Sequence, residues 1–406
     1  LGLPFSAGDK VAKLMPPMIL GNTATLGECL QLDEENNSGY SKEFYTASSE
    51  LRNQYKNDEE VKRIIDIALG LEGLRRQDGI HAAAVVISPE AITNYLPVQK
   101  KGKDAELVTQ FEMHTVEQLG LLKMDFLGLR NLSIIDRTVE LISNEDFNID
   151  EIPLDDKKTF ELFSTGRMIG VFQLESRIAQ ITSRSLKPTR FEEIVALVAL
   201  IRPGPLGANM HIEFADRATG KKEIEFLHPD LKEILEETYG VILYQEQVMQ
   251  IAQKISAFQL DEADDLRKAM GKKIPKVMEQ QRKKFTDGAI SNGYSEQFSI
   301  ELFDQIAFFA GYGFNKSHSV PYALIAYQTA YLKANHPAEY LSACLTAVKR
   351  DKDRTAIFLA EARELGVNVK TPDINLSIED FSVANGEILF GLSAIRNVGD
   401  ITAEKI

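Results

Sequence analysis

The sequence lacks any apolar run close to the roughly 18 residues that a membrane-crossing helix requires, so no membrane association is expected. Cysteine is nearly absent. Only Cys29 and Cys344 occur, outside any Cys-x-x-Cys or Cys/His cluster, which argues against a disulfide framework or a structural zinc site and fits a reducing compartment. The first residues, Leu1-Gly2-Leu3-Pro4, offer neither an initiator Met nor a charged region before an apolar core, so a cytoplasmic chain read from an internal start is expected. Internal repeats and low-complexity tracts are missing too. So is net positive charge: 60 acidic against 46 basic residues give −14, which argues against coating nucleic acid over the whole surface but leaves room for a local patch.

What is present is a long chain, 406 residues at 44% hydrophobic, which suggests two to four domains at about 150 residues each. Acidic residues concentrate at 33–35, 58–60 and 145–156, whereas Leu266 to Lys284 carries eight cations against Glu279. Helical periodicity marks Ala7 to Leu14, Ser48 to Tyr55 and Glu59 to Leu74, with a polar loop expected around Asn36 to Ser41. The period then shortens. His81 to Ser88, Leu107 to Phe111 and Gly120 to Phe126 read as strands of a small sheet. From Leu129 the pattern is helical to about Gly366, with Leu132, Ile135, Val139 and Ile142 on one stripe. A strand is expected at Gly386 to Leu392 and a helix start at Ala403.

Four places could carry chemistry, and each has a plain alternative. Alternation puts Lys123 and Asp125 on one strand face and Leu122, Met124 and Phe126 on the other, which on pattern alone reads first as a solvent-facing ion pair and also suits a Mg²⁺-binding carboxylate beside a phosphate-binding ammonium. Gly311 to Ser319 (GYGFNKSHS) brings Asn315, Lys316, Ser317 and His318 to a helix start, as a phosphate cradle or as a capping loop with Ser319 as N-cap and Pro321 in the first turn. Between Asp261 and Lys284 the acids precede the bases, as in one helix ending near Gly271 and a second opened by Pro275. Its cations Arg267, Lys268, Lys272, Lys273, Lys276, Arg282, Lys283 and Lys284 could follow a phosphate backbone or form a solvated face. Ala394 to Gly399 has the pattern of a helix-hairpin-helix turn, a signal that is weak alone. His81 could be a buried hydrogen-bonding group or a site residue; His114, His211, His228 and His336 have no partners at ligand spacing.

Together these segments resemble one known family. Leu71 to Arg76 leading to His81 to Ile87, Thr109-Gln110-Phe111, Lys123 to Leu129 (KMDFLGL), Val171 to Ser176 (VFQLES), Ala199 to Leu206 (ALIRPGPL), Tyr239 to Ala252 (YGVILYQEQVMQIA), Leu266 to Lys273 (LRKAMGKK) and GYGFNKSHS occur in this order in bacterial DNA polymerase III alpha subunits, the C-family polymerases. The resemblance runs the length of the chain.

It implies a multidomain, predominantly α architecture: a helical thumb at 1–80, the C-terminal part of a mixed α/β nucleotidyltransferase-like (polymerase-beta-like) palm at 81–130, helical fingers at 131–370, and the start of a tandem helix-hairpin-helix and clamp-binding region at 371–406. Asp125 would be the third catalytic carboxylate, one ligand of a two-Mg²⁺ site. Lys123, Arg76, Arg202, Arg267, Lys268, Asn315, Lys316, Ser317 and His318 would face the nucleotide and its phosphates. Lys272, Lys273, Lys276, Arg282, Lys283, Lys284, Asn397 and Gly399 would contact DNA. The implied activity is template-directed addition of deoxynucleotides to a primer 3′-hydroxyl, in the replicative enzyme or its error-prone paralogue. The implied partners are primer-template DNA and deoxynucleoside triphosphates, with the sliding clamp, proofreading exonuclease and clamp loader engaged mostly by other regions, in a nucleoid-associated setting. The family's Pro-Asp-x-Asp motif, source of the other two metal ligands, and its Gly-Ser phosphate loop do not occur in the chain, so the isolated segment reads as a DNA-binding module without chemistry of its own. Ala84 stands where the family more often has Gly.

Overall fold

The computed structural model describes residues 1–17, 23–31, 39–74, 78–100, 106–272, 275–309 and 313–406, without the side chains of 39–41, 271, 272, 275 and 276. The chain divides into two compact units, Leu1–Arg130 and Asn131–Ile406. It is predominantly helical, and no helix among the described residues is long and apolar enough to cross a membrane.

The first unit opens with helices α1 (Phe5–Ala12), α2 (Leu26–Leu30), α3 (Gly39–Ala47), α4 (Ser49–Asn57) and α5 (Glu59–Leu71). Asp58 caps α5 by accepting from the amides of Glu60 (3.0 Å) and Val61 (3.2 Å), and Glu59 and Glu60 in the first turn add favourable charge at the positive end of the helix dipole. These helices close on Val11, Cys29, Phe44, Leu51, Val61 and Ile65. Leu51 and Ile65 are fully buried, each stabilising by about 1.5–3 kcal/mol. The polar loop expected up to Ser41 is corrected in part: 36–38 lie outside the described residues, and α3 already begins at Gly39.

Strands β1 (Ala84–Ile87), β2 (Val98–Lys100) and β3 (Leu107–Thr109), helix α6 (Met113–Gln118) and strand β4 (Leu122–Asp125) complete this unit. In place of one sheet they form two antiparallel ladders, β1 with β4 and β2 with β3. The register sets Ala84 opposite Asp125 and Val86 opposite Lys123, so these four residues share a face. That face packs Val86 against Leu96, Val116 and Leu121. The opposite, apolar face is open: Val85 is 51%, Ile87 43%, Leu122 57% and Met124 40% exposed.

The second unit contains α7 (Arg130–Ile142), α8 (Lys157–Thr165), α9 (Arg177–Leu186), α10 (Phe191–Leu200), α11 (Pro203–Gly207), α12 (Met210–Ala218), α13 (Lys232–Leu235), α14 (Gln245–Ser256), α15 (Leu260–Lys272), α16 (Pro275–Ser291), α17 (Glu296–Phe309), α18 (Lys316–Asn335), α19 (Pro337–Val348) and α20 (Lys352–Glu364). Strands β5 (Val369–Lys370), β6 (Ser382–Ala384) and β7 (Glu387–Leu389) form a small sheet in the order β5-β7-β6 before helix α21 (Asp400–Glu404). Helix α10 is apolar on all sides and buried from Glu193 to Leu200, as a helix without a polar face must be, and packs along α18. One cluster unites α14 to α17 around Phe285, Phe303 and Ile255; another unites α18 to α20 and the small sheet around Tyr340, Leu341 and Phe381. Of the stripe on α7, Ile135 is buried while Leu132 is 45% exposed.

The loop between α8 and α9 is held by buried polar contacts. Lys333 Nζ donates to the carbonyls of Arg167 and Ile169, each at 2.7 Å, and pairs with Glu361 at 2.7 Å, both side chains almost entirely buried. The Tyr340 hydroxyl donates to the Gly170 carbonyl (2.6 Å), and Glu175 accepts from the Gly170 amide (2.7 Å) and from Arg354. Gly170 needs to be glycine: its φ is +84°, and a Cβ there would lie 3.2 Å from the Phe358 ring.

Candidate functional site

The β1–β4 ladder fixes the geometry around Asp125. Lys123 Nζ donates to both carboxylate oxygens, at 2.8 and 2.9 Å, because alternate residues of one strand point the same way. This hydrogen bond, reinforced by the charges of Lys123 and nearby His81, holds the Asp125 carboxyl below the usual range despite some desolvation. Of the two readings of His81, the buried one is corrected: its side chain is half exposed. Its Nδ1 lies 3.8 Å from Asp125, too far for a hydrogen bond, and instead accepts from the amides of Ala83 (3.2 Å) and Ala84 (2.9 Å). The Lys123 side chain is 16% exposed and that of Asp125 50%, so the carboxylate is accessible.

Among the described residues no group of three or more His, Cys, Asp or Glu side chains could hold a metal ion. A pair of Mg²⁺ ions needs several converging oxygen ligands. One carboxylate whose two oxygens both face an ammonium does not fit that requirement by itself.

In the second unit, Phe314 gathers several of the expected residues. Its amide donates to the Leu243 carbonyl (3.2 Å) and its carbonyl accepts from the Gln245 amide (2.9 Å), tying the segment to the start of α14. The Arg202 guanidinium lies 4.0 Å from the Phe314 ring centroid, and Arg202 Nε donates to the Ala199 carbonyl at 3.0 Å. Burial pulls Arg202 down from its ordinary pKa. His318 packs edge-on against Phe314 (5.5 Å) and over Tyr322 (4.2 Å).

The N-cap of α18 is Asn315, correcting the expectation of Ser319: the Asn315 side chain accepts from the His318 amide at 2.8 Å. Ser319 is buried and donates to the Val195 carbonyl of α10 at 2.8 Å, and Pro321 falls inside the helix. Lys316 is engaged on both sides. Its ammonium meets Glu237 at 2.7 Å and its amide donates to Glu246 at 2.9 Å, so a carboxylate of the protein occupies the first donor at this helix start. Ser317 is exposed. Glu237, Glu246 and Tyr322 were missed in the sequence, although Glu246 lies within the YQEQ string.

Helix α15 runs to Lys272 and α16 opens with Pro275, where the sequence suggested it; 273 and 274 lie outside the described residues. Four of the run's eight cations are paired with carboxylates. Arg267 and Lys268 both pair with Asp264 at 2.8 Å, Lys284 pairs with Glu262 at 2.8 Å, and Arg282 contacts Asp304. Lys283 is exposed without an ion-pair partner among the described residues. Arg76 and Lys273, and the side chains of Lys272 and Lys276, lie outside what is described. Near the C-terminus the exposed Asn397 adopts φ +69°, and the Gly399 carbonyl accepts from the Thr402 and Ala403 amides, both at 2.9 Å, to start α21.

Comparison with known proteins matches residues 1–128 to the bacterial DNA polymerase III alpha NTPase domain, 131–293 to the bacterial DNA polymerase III alpha subunit finger domain, and 366–406 to a helix-hairpin-helix motif. Similar relatives include DNA polymerase III subunit alpha of Mycobacterium tuberculosis, 43% identical over 97% of this chain and 33% of the relative. Those of Thermus aquaticus (43% identical; all of this chain, 32% of the relative) and Escherichia coli (42%; all of this chain, 35%) are also similar. The chain thus spans about a third of the length of these relatives. The motifs in the sequence and the consecutive domain matches agree, and the chain belongs to the bacterial DNA polymerase III alpha subunit family.

Proposed function

We propose that the chain is the part of a replicative DNA polymerase catalytic subunit that contributes Asp125 to the centre where a deoxynucleotide is joined to a primer 3′-hydroxyl. The observation that carries this reading is the Lys123 ammonium held against both oxygens of Asp125 on a single strand face. In this reading residues 81–130 are the palm's C-terminal part, 1–80 the thumb, 131–370 the fingers and 371–406 the opening of the helix-hairpin-helix region. The open apolar face of Val85, Ile87, Leu122 and Met124 supports the palm assignment, because a two-stranded ladder is marginal alone and such a face needs further structure against it.

Carboxylates from elsewhere in the polymerase would have to join Asp125 before Mg²⁺ could be held, and the ion, once bound, would stabilise charge on the phosphates. This chain's own contribution is narrower. Lys123 keeps Asp125 ionised and places a cation within reach of a phosphate, while Arg202, Asn315, Ser317 and His318 would face the nucleotide and Lys316 would join them by exchanging Glu237 for phosphate. Arg267 and Lys268 would join them by exchanging Asp264 for phosphate, and the basic run to Lys284 with Asn397 and Gly399 would touch DNA.

The test is single-nucleotide incorporation on a primed template by the whole alpha subunit, with and without Mg²⁺. Asp125→Asn should reduce extension to background while primer-template affinity stays near wild type. Full activity in that variant rules the assignment out.

A further inference from the structure

None of the cationic site residues named so far lies on helix α9. Helix α9 reads Arg-Ile-Ala-Gln-Ile-Thr-Ser-Arg-Ser-Leu and ends on Lys187 as C-cap, with no acidic residue, in a chain carrying 60 acidic against 46 basic side chains. At 3.6 residues per turn Arg177, Ile181 and Arg184 fall on one side, opposite Ala179, Thr182, Ser183 and Leu186, which are buried. Arg177, Arg184 and Lys187 are exposed, and none has an ion-pair partner among the described residues. The carboxylates just before α9 and on α12 are taken by other cations. Glu175 is bonded to Arg354 at 2.9 Å, and on α12, which packs against α9, Glu213 is bonded to Arg217 and Lys222, both at 2.7 Å, with Asp216 3.5 Å from Lys221.

Helix stability does not account for this pattern. Arg184 and Lys187 sit at the C-terminal end, where the dipole favours cations, but Arg177 is the first helical residue, where a cation is disfavoured. Just before it, Gln173 is exposed with φ +62°, a left-handed conformation held by the buried contacts of Lys333, Tyr340 and Glu175 to the same loop.

We infer that this face of α9 binds the sugar-phosphate backbone of duplex DNA, with Arg177, Arg184 and Lys187 each neutralising a phosphate and Gln173 extending the polar edge. Arg177 and Arg184 are seven residues apart, about 10 Å along the helix at 1.5 Å per residue. That matches the rise of about three base steps at 3.4 Å per strand. Duplex fits better than single strand because the exposed apolar residues between the cations are Ile178 and Ile181, and single-strand sites rely on aromatic side chains for base stacking. The inference rests on the polymerase reading above and adds a DNA-tracking surface to it.

The experiment measures primer-template affinity of the whole alpha subunit by fluorescence anisotropy from about 50 to 200 mM salt, beside nucleotide incorporation. Arg177→Gln/Arg184→Gln/Lys187→Gln should lower affinity by about tenfold or more at the low-salt end and flatten the log-log salt slope by roughly 2 to 3, at about 0.9 per phosphate contact. Because the Arg184 stem packs over Gly166, Arg177→Gln/Lys187→Gln is the second variant, expected to flatten the slope by about 1.8 with that packing intact. Lys254→Gln, which removes a cation already paired with Glu233 at 2.8 Å, should leave the slope unchanged. Slopes equal to wild type in both α9 variants overturn the inference while leaving the polymerase reading in place. Equal weakening toward a single-stranded oligonucleotide overturns the duplex assignment, and a wild-type subunit that neither binds nor extends the primer-template overturns both readings.

Discussion

The two units each contain a lysine held against a carboxylate at nearly the same distance, and burial makes them opposites. Lys123 meets Asp125 at 2.8 Å with the carboxylate half exposed; Lys333 meets Glu361 at 2.7 Å with the two side chains 0% and 4% exposed. Burial pulls the Lys333 pKa down while the Glu361 charge holds it up, and the remaining ammonium protons go to two backbone carbonyls. The whole ammonium is committed to the fold. At Asp125 the pair lies at the rim of a short ladder, where water, an ion or a phosphate can take either partner's place. Pair geometry alone therefore does not separate a structural ion pair from a reactive one; the degree of burial does.

The largest effect should come from breaking the buried pair. Lys333→Ala leaves Glu361 charged and unpartnered in the interior and is expected to destabilise the second unit by about 3–5 kcal/mol. Lys333→Met with Glu361→Leu removes both charges and should recover part of that loss. The carbonyls of Arg167 and Ile169 then lack a donor, at a residual cost of about 1–3 kcal/mol. Urea denaturation with a probe in each unit reads this out, since a chain of two compact units need not unfold in one step. A Lys333→Ala chain as stable as wild type would mean that the buried pair contributes nothing to the fold.

Asp156 lies between these extremes of burial. Asp156, partly buried, caps α8 by accepting from the Thr159 amide (2.9 Å) and hydroxyl (2.7 Å), and also accepts from Asn335 of α18 (3.1 Å). Burial acts to raise its pKa, but the hydrogen bonds from Thr159 and Asn335 outweigh burial and hold the carboxyl below its ordinary value. Asp156→Ala should cost about 1 kcal/mol. Since the folded pKa is the lower one, the stabilisation is complete above the unfolded value of about 3.9 and disappears as pH falls through the folded pKa. Wild type and Asp156→Asn should therefore converge in stability on acidification, a trend that thermal melts between neutral and strongly acidic pH would test.

What the sequence disclosed divides along the same line. Strand alternation made the Lys123/Asp125 face legible, because a period of two dictates it, and Pro275 announced α16 because proline fits the first turn of a helix. Contacts between distant residues were not legible. Glu361 lies 28 positions from Lys333, Asp304 is far from Arg282, and the basic run looked like unpaired charge until the fold brought Glu262 to Lys284. Ser319 has the chemistry of an N-cap, but the approach of α10 turns its hydroxyl inward to Val195 and leaves the cap to Asn315. Likewise, alternation separated an apolar from a polar face at β4, while packing covered the polar one at Val86 and Lys123 and left Asp125 and the apolar face open.

The smallest effect on stability, and a large one on activity, is expected at the exposed pair. Lys123→Ala in the whole alpha subunit should leave the thermal midpoint of the first unit unchanged within measurement, because its partner can return to water. Nucleotide incorporation should nevertheless fall by roughly 10²-fold, as when one charge-stabilising donor is removed from a transition state, while primer-template affinity holds. The pH dependence gives an independent sign. Lys123 is the chief reason the Asp125 carboxyl is held below the usual range, so without it that pKa returns upward and the acid limb of incorporation should move to higher pH. Steady-state incorporation across the acidic range, with denaturation of the same samples, separates the outcomes. A variant that loses stability while keeping its incorporation rate and acid limb would place Lys123–Asp125 with Lys333–Glu361 as a purely structural pair.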